Sequence, residues 1–125
     1  MFRKTTIALF AAAKLLTGAA QAHPKLLSST PAAQSTVAAP RQIELHFSEG
    51  LMAKLSGADL AMVSMPGMAM KTPMKMSVTA AVGADGKTLS VLPARPLAAG
   101  TYRVDYHIVS VDTHRVTGTL VFRIS

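Results

Sequence analysis

The 125-residue sequence has no cysteine and no tryptophan, only two tyrosines and four phenylalanines, and six acidic residues against thirteen Lys and Arg. Each scarcity excludes something. Without cysteine there is no disulfide framework, thiolate zinc site, iron–sulfur cluster or cysteine nucleophile. Any soft metal ligand must therefore be a methionine thioether. With so few large aromatic rings, the chain lacks an obvious platform for a sugar polymer. No nucleophile elbow or phosphate-cradling loop is present, so hydrolytic catalysis has little support.

The shortage of acid leaves a net charge of +7 and a pI near 10.3, a balance that can attract nucleic acid through counterion release. Part of that charge sits in residues 1–22, which carry Arg3 and Lys4, an apolar run from Ile7 to Ala13, and Ala20-Gln21-Ala22. This order reads as a cleaved secretory signal peptide with a small-residue cleavage site. Lys14 interrupts the run, which is too short for the roughly 20 apolar residues of a membrane span. Cleavage after Ala22 removes Arg3, Lys4 and Lys14, and the net charge falls from +7 to +4. The remaining charges are scattered. Export and scatter together argue against a nucleic-acid partner, and residues 23–125 are expected to form one domain.

Short alternating segments dominate that domain. Ile43, Leu45 and Phe47 alternate with Glu44 and His46; Tyr102, Val104, Tyr106 and Ile108 alternate with Arg103, Asp105 and His107; Leu120, Phe122 and Ile124 complete the pattern. Period-2 alternation predicts half-buried strands. Further strands are expected around Leu60–Ser64, Lys75–Val82 and Thr88–Leu92, with a tight hairpin at Asp85-Gly86 and a turn at Ala98-Ala99-Gly100. Two proline-bearing stretches, Pro31–Pro40 and Ser64–Pro73, read as loops. The fold class is all-β, a sandwich or barrel.

Cleavage after Ala22 would make His23 the first residue, offering an α-amine and an imidazole together. Both are neutral nitrogen donors once deprotonated, and Nδ1 and the amine can close one chelate ring. Such a set suits Cu(II), at the top of the divalent affinity order. Asp112-Thr113-His114 is the best source of further ligands, because side chains at i and i+2 share one face of an extended segment. Glu49, after Phe47-Ser48, is a third possible donor.

The methionines form the second candidate site. Of eight in the chain, Met62, Met65, Met68, Met70, Met74 and Met76 fall within fifteen residues. Pro66, Gly67 and Pro73 argue against one continuous regular element through them. Thioether sulfur is soft, neutral and unprotonated at biological pH, which favours Cu(I) over Zn(II) or Cu(II). The plainer alternatives are methionine as core filler and a methionine-rich surface that grips a protein.

HPKLLSSTPA, IELHFSEGL, MVSMPGM and GTYRVDYHIVSVDTHRVTG occur in that order, and with them the chain resembles the CopC/PcoC family of periplasmic copper-resistance proteins over nearly the whole of residues 23–125. The resemblance implies a Greek-key β-sandwich or barrel of seven to nine strands, cupredoxin- or immunoglobulin-like, with copper sites at opposite ends. It implies a Cu(II) site from the amine and imidazole of His23 with His114, Asp112 and Glu49 being weaker or outer oxygen partners. It implies a Cu(I) site from Met62, Met65, Met68 and Met74. The chain departs from the family in two places. It offers Met70 where members often place a histidine, and Tyr106 where the family has a core tryptophan. The function so implied is a non-catalytic, monomeric periplasmic carrier or buffer of copper, for resistance or homeostasis. An inner-membrane copper-uptake protein or a multicopper oxidase is its partner. The rival readings are a copper-dependent oxidative enzyme using a histidine brace, and a methionine-rich interaction module.

Overall fold

A computed structural model describes residues 23–125; the expected signal peptide, residues 1–22, lies outside the described residues. Nine strands follow in order: β1 (Leu26–Thr30), β2 (Thr36–Val37), β3 (Ile43–Phe47), β4 (Gly57–Met65), β5 (Met68–Met76), β6 (Val78–Val82), β7 (Thr88–Pro93), β8 (Gly100–Val109) and β9 (Arg115–Ile124). They build a four-stranded sheet in the order β1-β3-β7-β6 and a five-stranded sheet in the order β2-β9-β8-β4-β5. After the β6–β7 hairpin in the first sheet, the chain returns as β8 beside β4, a Greek-key crossover. No helix among the described residues is long and apolar enough to cross a membrane.

Alternation places the core where the sequence predicts it. Ile43, Leu45, Leu89 and Val91 from one sheet meet Leu60, Tyr102, Val104 and Phe122 from the other, all with no exposed surface. Tyr102 stacks on Phe122 at 5.8 Å between ring centroids. Its hydroxyl donates to the Ala98 carbonyl at 2.7 Å, so this buried phenol keeps a hydrogen-bond partner. Tyr106 packs edge-on against Phe47 at 5.4 Å, filling the position expected to hold a larger ring.

The expected loop at Ser64–Pro73 is corrected by the structure. This stretch is the tip of a hairpin formed by β4 and β5. Pro66 and Gly67 make the turn between them, Gly67 taking a φ of 75°, which costs a glycine little. Pro73 lies inside β5, where an edge strand can spare one amide hydrogen. The irregular methionine spacing is absorbed by a bulge. Met62 pairs with Met74 and Ser64 with Ala69, so Val63 alone faces the four residues Met70 to Pro73. The single expected strand from Lys75 to Val82 is likewise two, interrupted at Ser77 as the chain leaves the five-stranded sheet for the other. Within Pro31–Pro40 only Thr36 and Val37 form a strand, parallel to β9. β1 had no clear alternation to announce it.

The β6–β7 hairpin turns at Gly83–Lys87, with Gly86 at φ 74°. The carboxylate of Asp85 accepts hydrogen bonds from the backbone N–H of Lys87 at 2.9 Å, the N–H of Thr88 at 3.0 Å and the Thr88 hydroxyl at 2.8 Å. These bonds, that from Lys87 foremost, hold its pKa below the ordinary 3.8. A depressed carboxylate pKa contributes stability that is complete above the ordinary value and is lost as pH falls through the folded one. Asp85→Ala is therefore expected to lower the melting temperature at pH 7. The gap to wild type should close as pH is taken below about 3.8, which thermal unfolding across pH 2–7 measures.

Candidate metal centres

β8 runs ten residues from Gly100 to Val109; His114 follows its last residue and the Met65–Met68 turn lies at its first, while Met62 and Met74 sit level with Tyr102 and Met76 with Val104. At about 3.3 Å per residue, the two ends of β8 are roughly 30 Å apart.

At the end beyond Val109, three segments are stitched together by backbone hydrogen bonds. Lys25 and Ser48 exchange two bonds of 2.9 Å, one from Lys25 N–H to the Ser48 hydroxyl and one from Ser48 N–H to the Lys25 carbonyl. Gly50 accepts from the Val111 N–H at 2.9 Å, and Leu51 bridges to Ser110. The residues flanking His23, Glu49 and Asp112 are thus fixed to one another before any ligand chemistry is considered.

The turn that presents His114 is organised by Ser110, which is fully buried. Its backbone N–H donates to the His114 carbonyl at 2.8 Å, its carbonyl accepts from the Thr113 N–H at 2.8 Å, and its hydroxyl oxygen accepts from the His114 N–H at 3.1 Å. The same hydroxyl donates to Asp112 Oδ1. Thr113 takes a φ of 72°, a left-handed conformation that costs a non-glycine residue on the order of 1 kcal/mol. Asp112 Oδ1 in turn accepts from His114 Nδ1 at 3.1 Å. The Ser110 bond first and the His114 bond second lower the Asp112 pKa. With Nδ1 carrying the hydrogen, the lone pair of neutral His114 is at Nε2.

The His23 and His114 rings stand 5.0 Å apart, centroid to centroid, at 71°. Two imidazoles sharing one ion at nitrogen–metal distances of about 2.0 Å have centroids roughly 4.5–5 Å apart for angles near 90–105°. The ring separation therefore needs little rearrangement to take an ion. Asp112 lies behind His114 as its orienting carboxylate. Glu49 sits half-buried in the loop clamped to Val111. Among the described residues no three His, Asp or Glu side chains converge as a ready metal cluster.

At the other end, register assigns the methionines to faces. Met62 pairs with the fully buried Tyr102, and Leu60 with Val104, so both point inward. β4 then carries one residue too many against β8, because Ser64 pairs with Thr101 rather than with Gly100. The bulge at Val63 shifts the phase, so that Met65, three residues after Met62, also falls on the inner side. Its cross-strand partner Met68 shares that side, as Met74 shares it with Met62 and Met76 with Leu60. Gly100 permits the close approach: a Cβ there would come 2.6 Å from the Ser64 carbonyl oxygen and 3.2 Å from Met62 Cε.

Burial divides the set. Met62 is in the core at 5% exposure, and Met70 and Met76 pack against that core. Met65, Met68 and Met74 are open, at 38%, 59% and 44%. Pro66, Gly67 and Pro73 do interrupt the segment, but strand β4 supplies the regular element that places Met62 in the core. Met74 and Met76 line a groove of about 400 Å³ with Leu97, flanked by Lys75 and Arg95.

Ser110 and the Lys25–Ser48 clamp were not found from the sequence. Ser110 carried one faint signal, a small polar residue ending the alternation two places before Asp112.

A two-sheet β-sandwich with nitrogen and carboxylate groups at one end and thioethers at the other defines the class. Residues 26–125 match the CopC domain, and the chain belongs to the CopC family. It is 52% identical over 122 residues to copper resistance protein C of Pseudomonas syringae pv. tomato, covering 98% of this chain and 96% of that one. To copper resistance protein C of Escherichia coli it is 51% identical over 105 residues, covering 84% and 83%. The crystal structure of PcoC, a methionine-rich copper resistance protein from Escherichia coli, superposes with a TM-score of 0.76 at 49% identity, covering 83% of this chain and all of that one.

The buried hydroxyl yields a direct expectation. Ser110→Ala leaves the His114 N–H without its acceptor and removes the donor to Asp112, which should cost about 1–3 kcal/mol of stability. Urea unfolding monitored by tyrosine fluorescence measures it.

Proposed function

We propose that the protein is a periplasmic copper carrier or buffer that serves copper resistance, binding Cu(II) at the His23 end and Cu(I) at the methionine hairpin. The observation that carries the reading is the pairing of His23 with His114, the latter oriented by Asp112, at one end of β8, with three exposed thioethers at the other. Copper is the cargo, and its oxidation state selects the end. Imidazole and amine nitrogens suit Cu(II), whereas thioethers suit Cu(I).

Signal cleavage after Ala22 underlies the first site, because only then does His23 present its α-amine. The ligands would be that amine, the His23 imidazole and His114 Nε2, with Asp112 fixing the His114 ring and Glu49 available as an outer oxygen. The second set would be Met65, Met68 and Met74, with the more buried Met62 beside Met74 on the neighbouring strand. Met70 and Met76 support the hairpin from the core side. Open thioethers on a hairpin can exchange one at a time, which suits handover to an inner-membrane copper-uptake protein or a multicopper oxidase. The carrier reading is favoured over a histidine-brace oxidase because the described surface offers no broad aromatic platform beside His23 and His114.

Electron paramagnetic resonance of the protein titrated with Cu(II) tests the first site. A protein starting at His23 is expected to give a nitrogen-rich signal and to bind at least about tenfold more tightly than one with an extra residue before His23. Equal affinities would defeat the terminal-amine model. For the second site, Met65→Leu with Met68→Leu preserves apolar volume while removing two sulfurs. Competition with a chromophoric Cu(I) chelator should show affinity falling by about 100-fold or more, with Cu(II) binding unchanged. Unchanged Cu(I) affinity would favour the interaction-module reading.

A further inference from the structure

A third constellation lies on the outer face of the four-stranded sheet, used by neither end. Ile43, Leu45 and Phe47 fill the core, so the intervening Glu44 and His46 of β3 face away from it. Glu44 pairs with Ser90, and His46 with Thr88 of β7.

The side chains there form a directed chain. Asp85 Oδ2 accepts the Thr88 hydroxyl hydrogen at 2.8 Å, which commits the single proton of that hydroxyl. Thr88 Oγ1 can then only accept from His46 Nδ1, 3.0 Å away. Nδ1 therefore bears the hydrogen, and the neutral ring presents its lone pair at Nε2. That nitrogen lies 3.5 Å from Glu44 Oε1. The other oxygen of the carboxylate, Oε2, accepts from Gln42 Nε2 at 2.6 Å, which holds the group in place.

A lone pair and a carboxylate oxygen at this separation repel unless a cation, either a proton on Nε2 or a metal ion, lies between them. An imidazole nitrogen and a carboxylate oxygen bound to one tetrahedral ion at about 2.0–2.1 Å stand about 3.4 Å apart, matching the bite. The hydrogen bond from Nδ1 towards a carboxylate, relayed here by Thr88, is the outer-shell arrangement that fixes a ligating histidine. The donor set is nitrogen and hard oxygen, suited to a borderline divalent cation rather than to Cu(I).

We infer that His46 Nε2 and Glu44 Oε1 form an auxiliary site for a divalent cation such as Zn(II) or Cu(II), oriented by Thr88 and Asp85. Two protein ligands leave the remaining positions to water. With the side chains 37% and 34% exposed, the ion exchanges freely, and a proton on Nε2 is its competitor. From His46 the same chain continues to Glu49, three residues on, or about 10 Å. An ion held here waits near the His23 end without occupying it.

Zn(II) titration of the purified protein carrying His114→Gln, followed by nitrogen–proton correlation spectra of the histidine rings, tests this. The His46 Nε2 resonance is expected to move to the metal-bound position while Nδ1 keeps its hydrogen, and the His107 ring to stay unmoved. Glu44→Gln and Thr88→Val, each verified as folded by its backbone amide spectrum, should each weaken binding about tenfold or more. The proposal is overturned if the His46 ring is unchanged at about 1 mM Zn(II), if Nδ1 is the nitrogen that binds, or if Glu44→Gln binds as tightly as its parent.

Discussion

β8 is held on both sides, pairing ten residues with β9 and seven with β4, and this pair of ladders fixes the position of everything that bears chemistry. Its side chains Tyr102, Val104 and Ile108 are fully buried, so a slip of one residue would turn all three towards water. The penalty is several kcal/mol, on the order of 1.5–3 kcal/mol for each side chain. A strand so pinned acts as a spacer. The histidine turn follows its last residue and the methionine hairpin abuts its first, and neither end can approach the other.

Within that frame, one surplus residue on β4 decides what the hairpin offers. Without the bulge at Val63, Met62 and Met65 would project to opposite faces and their sulfurs could not serve one ion. With it, they share a side with Met68 and Met74, and burial then grades them from the core outward. The other end has a surplus residue of its own, Leu27 of β1 against β3. There a buried serine supplies the order, satisfying the backbone of the turn and holding Asp112 against His114.

Alternation made β3, β8 and β9 legible because each has one buried and one wet face. The β4–β5 hairpin was not legible, since two prolines and a glycine in ten residues argue for a loop in most settings; here one proline and the glycine make the turn and the other proline lies on an edge. β1 was hidden for a different reason: Leu26-Leu27-Ser28-Ser29-Thr30 has no period, and tertiary pairing with β3 alone makes it a strand. Of the ligand candidates, His114 and Asp112 could be paired from their spacing of two. That His23 would stand beside them depends on the Lys25–Ser48 clamp, a contact across 23 residues that no local pattern records.

The proline in the outermost strand has one more effect. An edge lined with apolar thioethers invites a neighbouring molecule to add its own strand and begin a fibre. Pro73 within that strand has no amide hydrogen to offer, and Lys71 near it sets a like charge against an identical neighbour, Lys75 being paired with Asp59 at 3.5 Å. The same short segment can thus keep its sulfurs accessible to a small ion while resisting self-assembly at high protein concentration.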